Sequence, residues 1–321
     1  MKKMSIGVIL SYLIIYIVWG STYLGIKWAV ETIPPFYVVG FRFLAGGIIF
    51  LAISFISGKI KSFPKRNEIL SAVFLGTFLI LLGNGLITWA EKKVDSYLAA
   101  LIVSSAPFCI AFFNWVFFRE KLSRVRLSGM FMGVLGVGLI LYNGNSSISF
   151  SFHLGLVFAG FVFWGFATSM GHRLQVHSNN LLNSGIQMFY AGIVALVISM
   201  FMYKPFLQII PEISFLSWMG FAYLTILGAV GFYAYNYLLS NEPAIRISSY
   251  AIVNPLIAVL LGIFLGKEET TPALFIGMPI ILAGLAFMMY GETLLAFFRN
   301  DRRDKAVDND EAFDEKITDN L

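Results

Sequence analysis

The skeleton of residues 107–142 recurs 148 positions further along the chain without a gap. Pro107 matches Pro255, Glu120 matches Glu268, Gly129 and Gly136 match Gly277 and Gly284, and Tyr142 matches Tyr290. The register reaches back to Gly83 and Gly231. Identity between the copies is modest, yet proline and glycine are unfavourable inside helices and carboxylates are costly in apolar ones, so shared composition does not explain their alignment. Such a pattern requires two copies of one supersecondary unit, and any fold for the chain has to place both. Ahead of this register, Trp19-Gly20 matches Trp164-Gly165 at a spacing of 145, and Arg42 falls opposite Gln187. A three-residue length change between the second and third helices of each copy reconciles the two registers.

The copies have a membrane composition: 58% of the 321 residues are hydrophobic and 13% are charged. Apolar runs long enough to cross ~30 Å of hydrocarbon as helices are expected at 6–28, 36–57, 69–89, 96–118, 124–142, 154–171, 181–202, 215–239, 246–265 and 272–290. The first run is too long for a typical signal-peptide core and is expected to be retained. Pro34 and Pro35 break the chain before the second run, and Ser123 and Thr271 are expected as equivalent N-caps, with Pro272 at a first helical position. The single cysteine, Cys109, excludes a disulfide framework or a cysteine metal site.

Lys and Arg report orientation rather than a nucleic-acid surface, despite a formal charge of +5. With the N-terminus inside, cytoplasmic loops collect Lys59, Lys61, Lys65, Arg66, Arg119, Lys121, Arg124, Arg126, Arg173, Arg246, Arg299, Arg302 and Arg303. The other side receives Lys92, Lys93, Lys204 and Lys267, with Lys27 near a helix end, so both termini are expected in the cytoplasm. Five crossings per copy is an odd number, and the second copy must enter the bilayer from the opposite side. The expected fold is therefore an all-α integral membrane protein of ten transmembrane helices, arranged as two inverted five-helix repeats. These are residues 6–142 and 154–290, with a linker at 143–153 and a charged tail at 291–321 that is expected to be disordered. Inverted repeats are a recurring plan of secondary transporters, whose ligand sites lie near the midplane between the copies.

The order of the motifs resembles the EamA-type family of the drug/metabolite transporter superfamily. The first copy carries Trp19-Gly20-Ser21-Thr22-Tyr23, Lys27, Pro34-Pro35, Phe41-Arg42-Phe43, Ala106-Pro107, Arg119-Glu120-Lys121-Leu122-Ser123 and the run Gly129 to Gly136. The second carries Trp164-Gly165, Gln187, Asn254-Pro255 and Lys267-Glu268, with Glu269 where the family commonly has Arg. The resemblance covers nearly all of residues 6–290. It implies a ten-helix carrier of small solutes, often an exporter of metabolites or amino acids.

Candidate site residues follow from the cost of polar groups at membrane depth. Arg42 lies several residues into an apolar run, where a cation must face something polar: a solute anion, backbone carbonyls, or a carboxylate such as Glu31. Its counterpart Gln187 is neutral, so the halves are not expected to hold a solute symmetrically. Asn84 and Thr88 share a helix face beside Trp89; Tyr233 and Tyr237 do the same in the second copy, near Asn236. Ser21, Thr22 and Thr168 cluster beside the Trp-Gly pairs, and Trp19 and Trp164 either wall a solute site or pack at an interface. Pro107 and Pro255 free a carbonyl about one turn earlier, with Ser105 and Asn254 beside them, as hinges or static bends. Glu120 and Glu268 are expected on opposite membrane faces, as gate carboxylates or as loop carboxylates favouring the next helix's N-terminus.

The expected partners are a small-molecule solute and the lipid bilayer of the cell's inner (plasma) membrane, with a coupled proton or counter-solute and a homodimer left open. No cofactor or metal is expected: no phosphate-cradling loop is present, and His153, His172 and His177 lie near helix ends without an acidic ligand set. Two rival classes are an integral membrane enzyme acting on lipid, which needs a nucleophile and base at membrane depth, and a non-transporting receptor or assembly subunit, which does not need two equivalent kinked helices.

Overall fold

The computed structural model describes residues 5–58, 60, 62–142 and 151–293. Most of the linker and nearly all of the charged tail lie outside the described residues. Among the described residues nine helices are long and apolar enough to cross a membrane, and Tyr250–Phe264 is a shorter apolar helix. In chain order these are α1 (Ile6–Thr32), α2 (Pro35–Ile56), α3 (Arg66–Ala90), α4 (Ser96–Phe118), α5 (Arg124–Leu141), α6 (Phe152–Gly171), α7 (Asn180–Met202), α8 (Phe215–Asn241), α9 (Tyr250–Phe264) and α10 (Pro272–Thr293). The fold is all-helical, a ten-helix membrane protein of two repeats.

Local chemistry sets several boundaries. The Ser123 hydroxyl accepts from the Arg126 N–H at 3.2 Å and caps α5. Thr271 precedes α10, and its carbonyl accepts from the Leu274 N–H at 3.0 Å. The ninth element differs from the expected single run at 246–265: the chain turns at Ser248–Ser249, between the short helix Ala244–Ile247 and α9. The two prolines then act differently. Pro107 sits in the first turn of a restarted helix, after a break in α4 at Ser104–Ser105, where its missing N–H costs little. Pro255 lies inside α9 and removes the usual donor to a carbonyl one turn earlier.

The repeats run antiparallel where equivalent helices meet. A Cβ on Gly129 would lie 2.6 Å from the Gly284 carbonyl oxygen, and one on Gly136 would lie 2.9 Å from that of Gly277. Rising numbers on α5 thus meet falling numbers on α10, and each glycine meets the counterpart of the other. The α2–α7 pair repeats the pattern, Gly47 lying on the Phe189 backbone and Gly192 on that of Leu44. In lipid, the hydrophobic effect does not drive helices together, so close backbone approach over small residues carries the association. Large apolar side chains such as Phe201, Phe131 and Phe275 are exposed on the outside of the bundle, as a lipid-facing surface requires.

Two backbone irregularities also recur in register. A π-helical segment occupies Gly76–Asn84 in α3 and another Leu224–Gly228 in α8, and Gly76 and Leu224 are equivalent positions. Arg119 and Lys267, equivalent residues after α4 and α9, both adopt the left-handed conformation with φ of 55° and 52°. The following N–H groups close matching turns, from Glu120 to the Asn114 carbonyl at 3.3 Å and from Glu268 to the Gly262 carbonyl at 3.0 Å.

Candidate functional site

A cavity sits between the repeats, walled by side chains from α1–α4 and from α6–α9. Three equivalent pairs line it: Trp19 and Trp164, Phe43 and Met188, Asn84 and Phe232. Because each pair contributes one residue from each copy, the cavity lies about the pseudo-two-fold axis, in agreement with the midplane sites of inverted-repeat proteins. The π-helical segments bound it: Asn84 ends one, and Leu224 and Gly228 bracket the other. Such segments are rare and often found at functional sites, because they disturb the regular ladder of helix hydrogen bonds.

Aromatic rings form much of the wall. Trp19 meets Trp164 edge-on at 5.3 Å, Tyr250 edge-on at 5.3 Å and Tyr235 at 4.8 Å between centroids. Tyr235, fully buried, shares a 2.5 Å hydrogen bond with the Thr168 hydroxyl, which also donates to the Trp164 carbonyl. Edge-to-face contacts of this kind fix ring planes more tightly than area burial alone does.

The polar side is built by the first repeat. Arg42 is 5% exposed, and its guanidinium donates to the side-chain oxygen of Asn84, which also accepts from the Thr88 hydroxyl at 3.2 Å. Its central carbon, Cζ, lies 4.6 Å from the centroid of the Phe43 ring. Glu31 is exposed, and Arg42 takes part in none of the described ion pairs. The guanidinium is therefore held by a neutral amide and an aromatic face, leaving Nε without a partner. Gln187 is fully buried, and neither side-chain polar atom has a hydrogen-bond partner in the structure.

Of the residues singled out from the sequence, Trp19, Thr22, Arg42, Asn84 and Trp164 line the cavity. Thr88 and Thr168 stand behind it through Asn84 and Tyr235. The others lie elsewhere. The Ser21 hydroxyl is bonded to that of Tyr223 at 2.5 Å, and Trp89 packs between Phe36 and Phe152. Tyr233 packs on Phe50, the Tyr237 hydroxyl lies against Gly7, and the Asn236 amide donates to the Phe232 carbonyl at 3.2 Å. The Asn254 amide turns toward the Tyr16, Ile15 and Tyr250 carbonyls at 3.0, 3.2 and 3.3 Å, tying α9 to α1 beside Pro255.

Cavity residues outside that set include Tyr23, Phe43, Met188, Phe232 and Tyr250. Phe232 stands opposite Asn84 in the 148-residue register but is apolar, so the polar signal at this turn is its neighbour Tyr233.

The two gate candidates lie at opposite ends of the bundle and are engaged differently. Glu268 accepts from the Ser96 and Tyr97 N–H groups, at 2.9 and 3.3 Å, and so caps the N-terminus of α4. Glu120 is exposed and reaches Asn114 at 3.1 Å and Arg173 at 3.7 Å, in a polar cleft with His172 and Pro243. Beside Glu268, Lys27 pairs with Asp95 at 3.6 Å and donates to the Val94 carbonyl at 3.0 Å.

The comparisons with known proteins agree with this architecture. The EamA-like transporter family matches residues 5–142 and 152–290, one match for each repeat. The inner membrane transporter YedA of Escherichia coli K12, described as uncharacterized, is 32% identical over 282 residues, 87% of this chain and 90% of that protein. An uncharacterized transporter of Archaeoglobus fulgidus is 24% identical over 270 residues, 83% of this chain and 93% of its own. A crystal structure with 18% identity superposes with a TM-score of 0.65 over 92% of this chain and 98% of that one, and so shares the fold. With both repeats matched and a relative of this similarity along most of its length, the chain belongs to the EamA-like transporter family and is a multi-pass inner membrane transporter.

Proposed function

We propose that this transporter is a secondary carrier that moves a small organic solute by rocking its two inverted repeats about the central cavity. The observation that carries the proposal is that equivalent residues of both repeats wall one chamber while its one charged lining residue, Arg42, comes from the first repeat. An apolar body fits against Trp19, Trp164, Phe43 and Phe232, and an anionic or hydrogen-bond-accepting group fits Arg42, whose charge has no carboxylate partner among the described ion pairs. The family resemblance supports export as the direction, and the charge bias of the loops supports cytoplasmic termini.

The unequal carboxylates support an alternating gate. Glu268 seated on the start of α4 closes one end, and Glu120, exposed beside its cleft, leaves the other accessible. In the opposite state their roles exchange. The test is a metabolite panel, amino acids and nucleosides included, comparing efflux from cells with and without the protein, followed by counterflow in vesicles of purified protein. Counterflow should fall at least about tenfold in Arg42→Ala, the loss of one charge-assisted hydrogen bond in a dry site corresponding to ~1.5–3 kcal/mol. Undiminished counterflow in that variant overturns the cavity assignment, and a panel without any transported solute overturns the carrier reading.

A further inference from the structure

Glu91 follows the last residue of α3 and is fully buried, and neither carboxyl oxygen has a hydrogen-bond partner in the structure. The charged and titratable groups around it come from four places. Lys27 and Tyr23 belong to α1, Arg42 to α2, Asp95 to its own loop, and Glu268 to the turn between α9 and α10. The four charged ones are each engaged elsewhere: Lys27 with Asp95 and the Val94 carbonyl, Arg42 with Asn84, and Glu268 with the start of α4. Glu91 also stands between two functional regions. Arg42 and Tyr23 line the cavity, while Glu268 and Lys27 lie at the closed end.

A carboxylate without a hydrogen bond or an ion pair is unfavourable in such a place, so the neutral acid is the form that fits. Burial first, and the Glu268 carboxylate next, push the Glu91 carboxyl well above the usual range, against opposing pulls from Lys27 and Arg42. We propose that Glu91 is the coupling-proton site: it holds a proton in the conformation seen here and releases it to the aqueous side at the Glu268 end. The step is the dissociation of one carboxyl O–H, COOH giving COO⁻ and a hydrated proton, with no redox partner. The new charge repels Glu268 from its seat on α4 and draws Lys27 from Asp95 or Arg42 from Asn84. Opening of that end and loosening of the cavity's polar wall thus follow from one event. This inference rests on the carrier reading above.

The test needs no solute. In a Cys109→Ala background, Ser96→Cys places a thiol under the Glu268 seat, and its reaction with a membrane-impermeant maleimide in detergent reports opening. Divided by the thiolate fraction of the cysteine, which itself rises with pH, the labelling rate should increase about tenfold or more as pH rises through the titration of Glu91, a tenfold change being one pKa unit of linkage. Glu91→Gln, which mimics the protonated acid, should hold the slow corrected rate at every pH, and Glu91→Asp should keep the pH dependence of the corrected rate with a moved midpoint. Infrared difference spectra should show the C=O band of a protonated carboxyl in the wild type and lose it in Glu91→Gln. The site is overturned by a band that survives in Glu91→Gln or by labelling as pH-dependent there as in the wild type. Counterflow with pH-independent corrected labelling removes the Glu91 site and leaves the carrier reading, whereas pH-linked labelling without any transported solute removes the carrier reading and with it the coupling role, leaving Glu91 as a proton site only.

Discussion

Arg42 is held by an amide and not by a carboxylate, which leaves its positive charge available to the chamber it lines. Removing the amide should therefore be costly even without a solute. Asn84→Ala strips Arg42 of its described side-chain acceptor and should destabilise the protein by about 1–3 kcal/mol, the cost of leaving a buried donor unsatisfied. Thermal unfolding of the purified protein measures it, and Asn84→Asp should recover the loss. Glu91 gives a second prediction at this scale. A carboxyl raised in the folded state binds more protons there than in the unfolded chain, so its contribution is intact below the unfolded pKa and is lost as pH rises toward the folded value. Wild-type melting temperature should fall as pH rises above about 4.3, the unfolded glutamate pKa, with Glu91→Gln flatter and more stable near neutrality. Identical slopes in the two proteins would contradict the burial argument.

Each repeat also carries two irregular elements at equivalent places, a π-helical segment and a left-handed residue before a glutamate. The left-handed turn aims Glu268 at the free N–H groups that begin α4, where a carboxylate also meets the favourable end of the helix dipole. Glu268→Gln keeps an acceptor and removes the charge, while Glu268→Ala removes both. Maleimide labelling of Ser96→Cys should be faster in the Ala variant than in the Gln variant, and faster in both than in the wild type. The glycine contact between α5 and α10 is different in kind: it fixes distance, not timing. Gly284→Leu must force a side chain toward the Gly129 carbonyl and should cost ~1–3 kcal/mol as an overpacked interface. Melting temperature checks this, and no change would mean that the contact is not close in the membrane.

Over the whole molecule, equivalent helices cross antiparallel, so equivalent loops stand at opposite ends. Impermeant labelling of cysteines at 120 and 268 in intact cells should therefore report opposite compartments; with the termini in the cytoplasm, as proposed, Glu120→Cys is protected and Glu268→Cys reactive. Both reporting the same compartment would end the inverted arrangement and the rocking carrier with it. The two ends also differ chemically: at one a carboxylate is seated on the start of α4, and at the other an exposed carboxylate with Arg173 borders a cleft. A symmetric backbone with unequal side chains permits two states of similar energy that a solute or a proton can bias.

The duplication, the apolar runs and the odd number of crossings were legible in the linear chain, because helix length is set by bilayer thickness and glycine, proline and carboxylate positions survive as rare letters in an apolar text. Trp19, Arg42 and Asn84 could be singled out for the same reason: a polar or bulky group at depth needs an explanation. Glu91 escaped because a carboxylate followed by Lys92-Lys93 reads as a solvated loop, and only packing of α1, α2 and the turn carrying Glu268 around it takes it out of water. Tyr233 and Tyr237 share a face, but helical spacing does not say which face is turned inward, and the π-helical segment one turn earlier resets that direction and brings Phe232 to the cavity. The crossings, the repeat and its inversion follow from the linear chain, through helix length, the surrounding solvent and the parity of the crossings. Which groups meet in the chamber, and which carboxylate is seated, were decided only when the helices packed, because those depend on rotations and distances between elements that no single helix encodes.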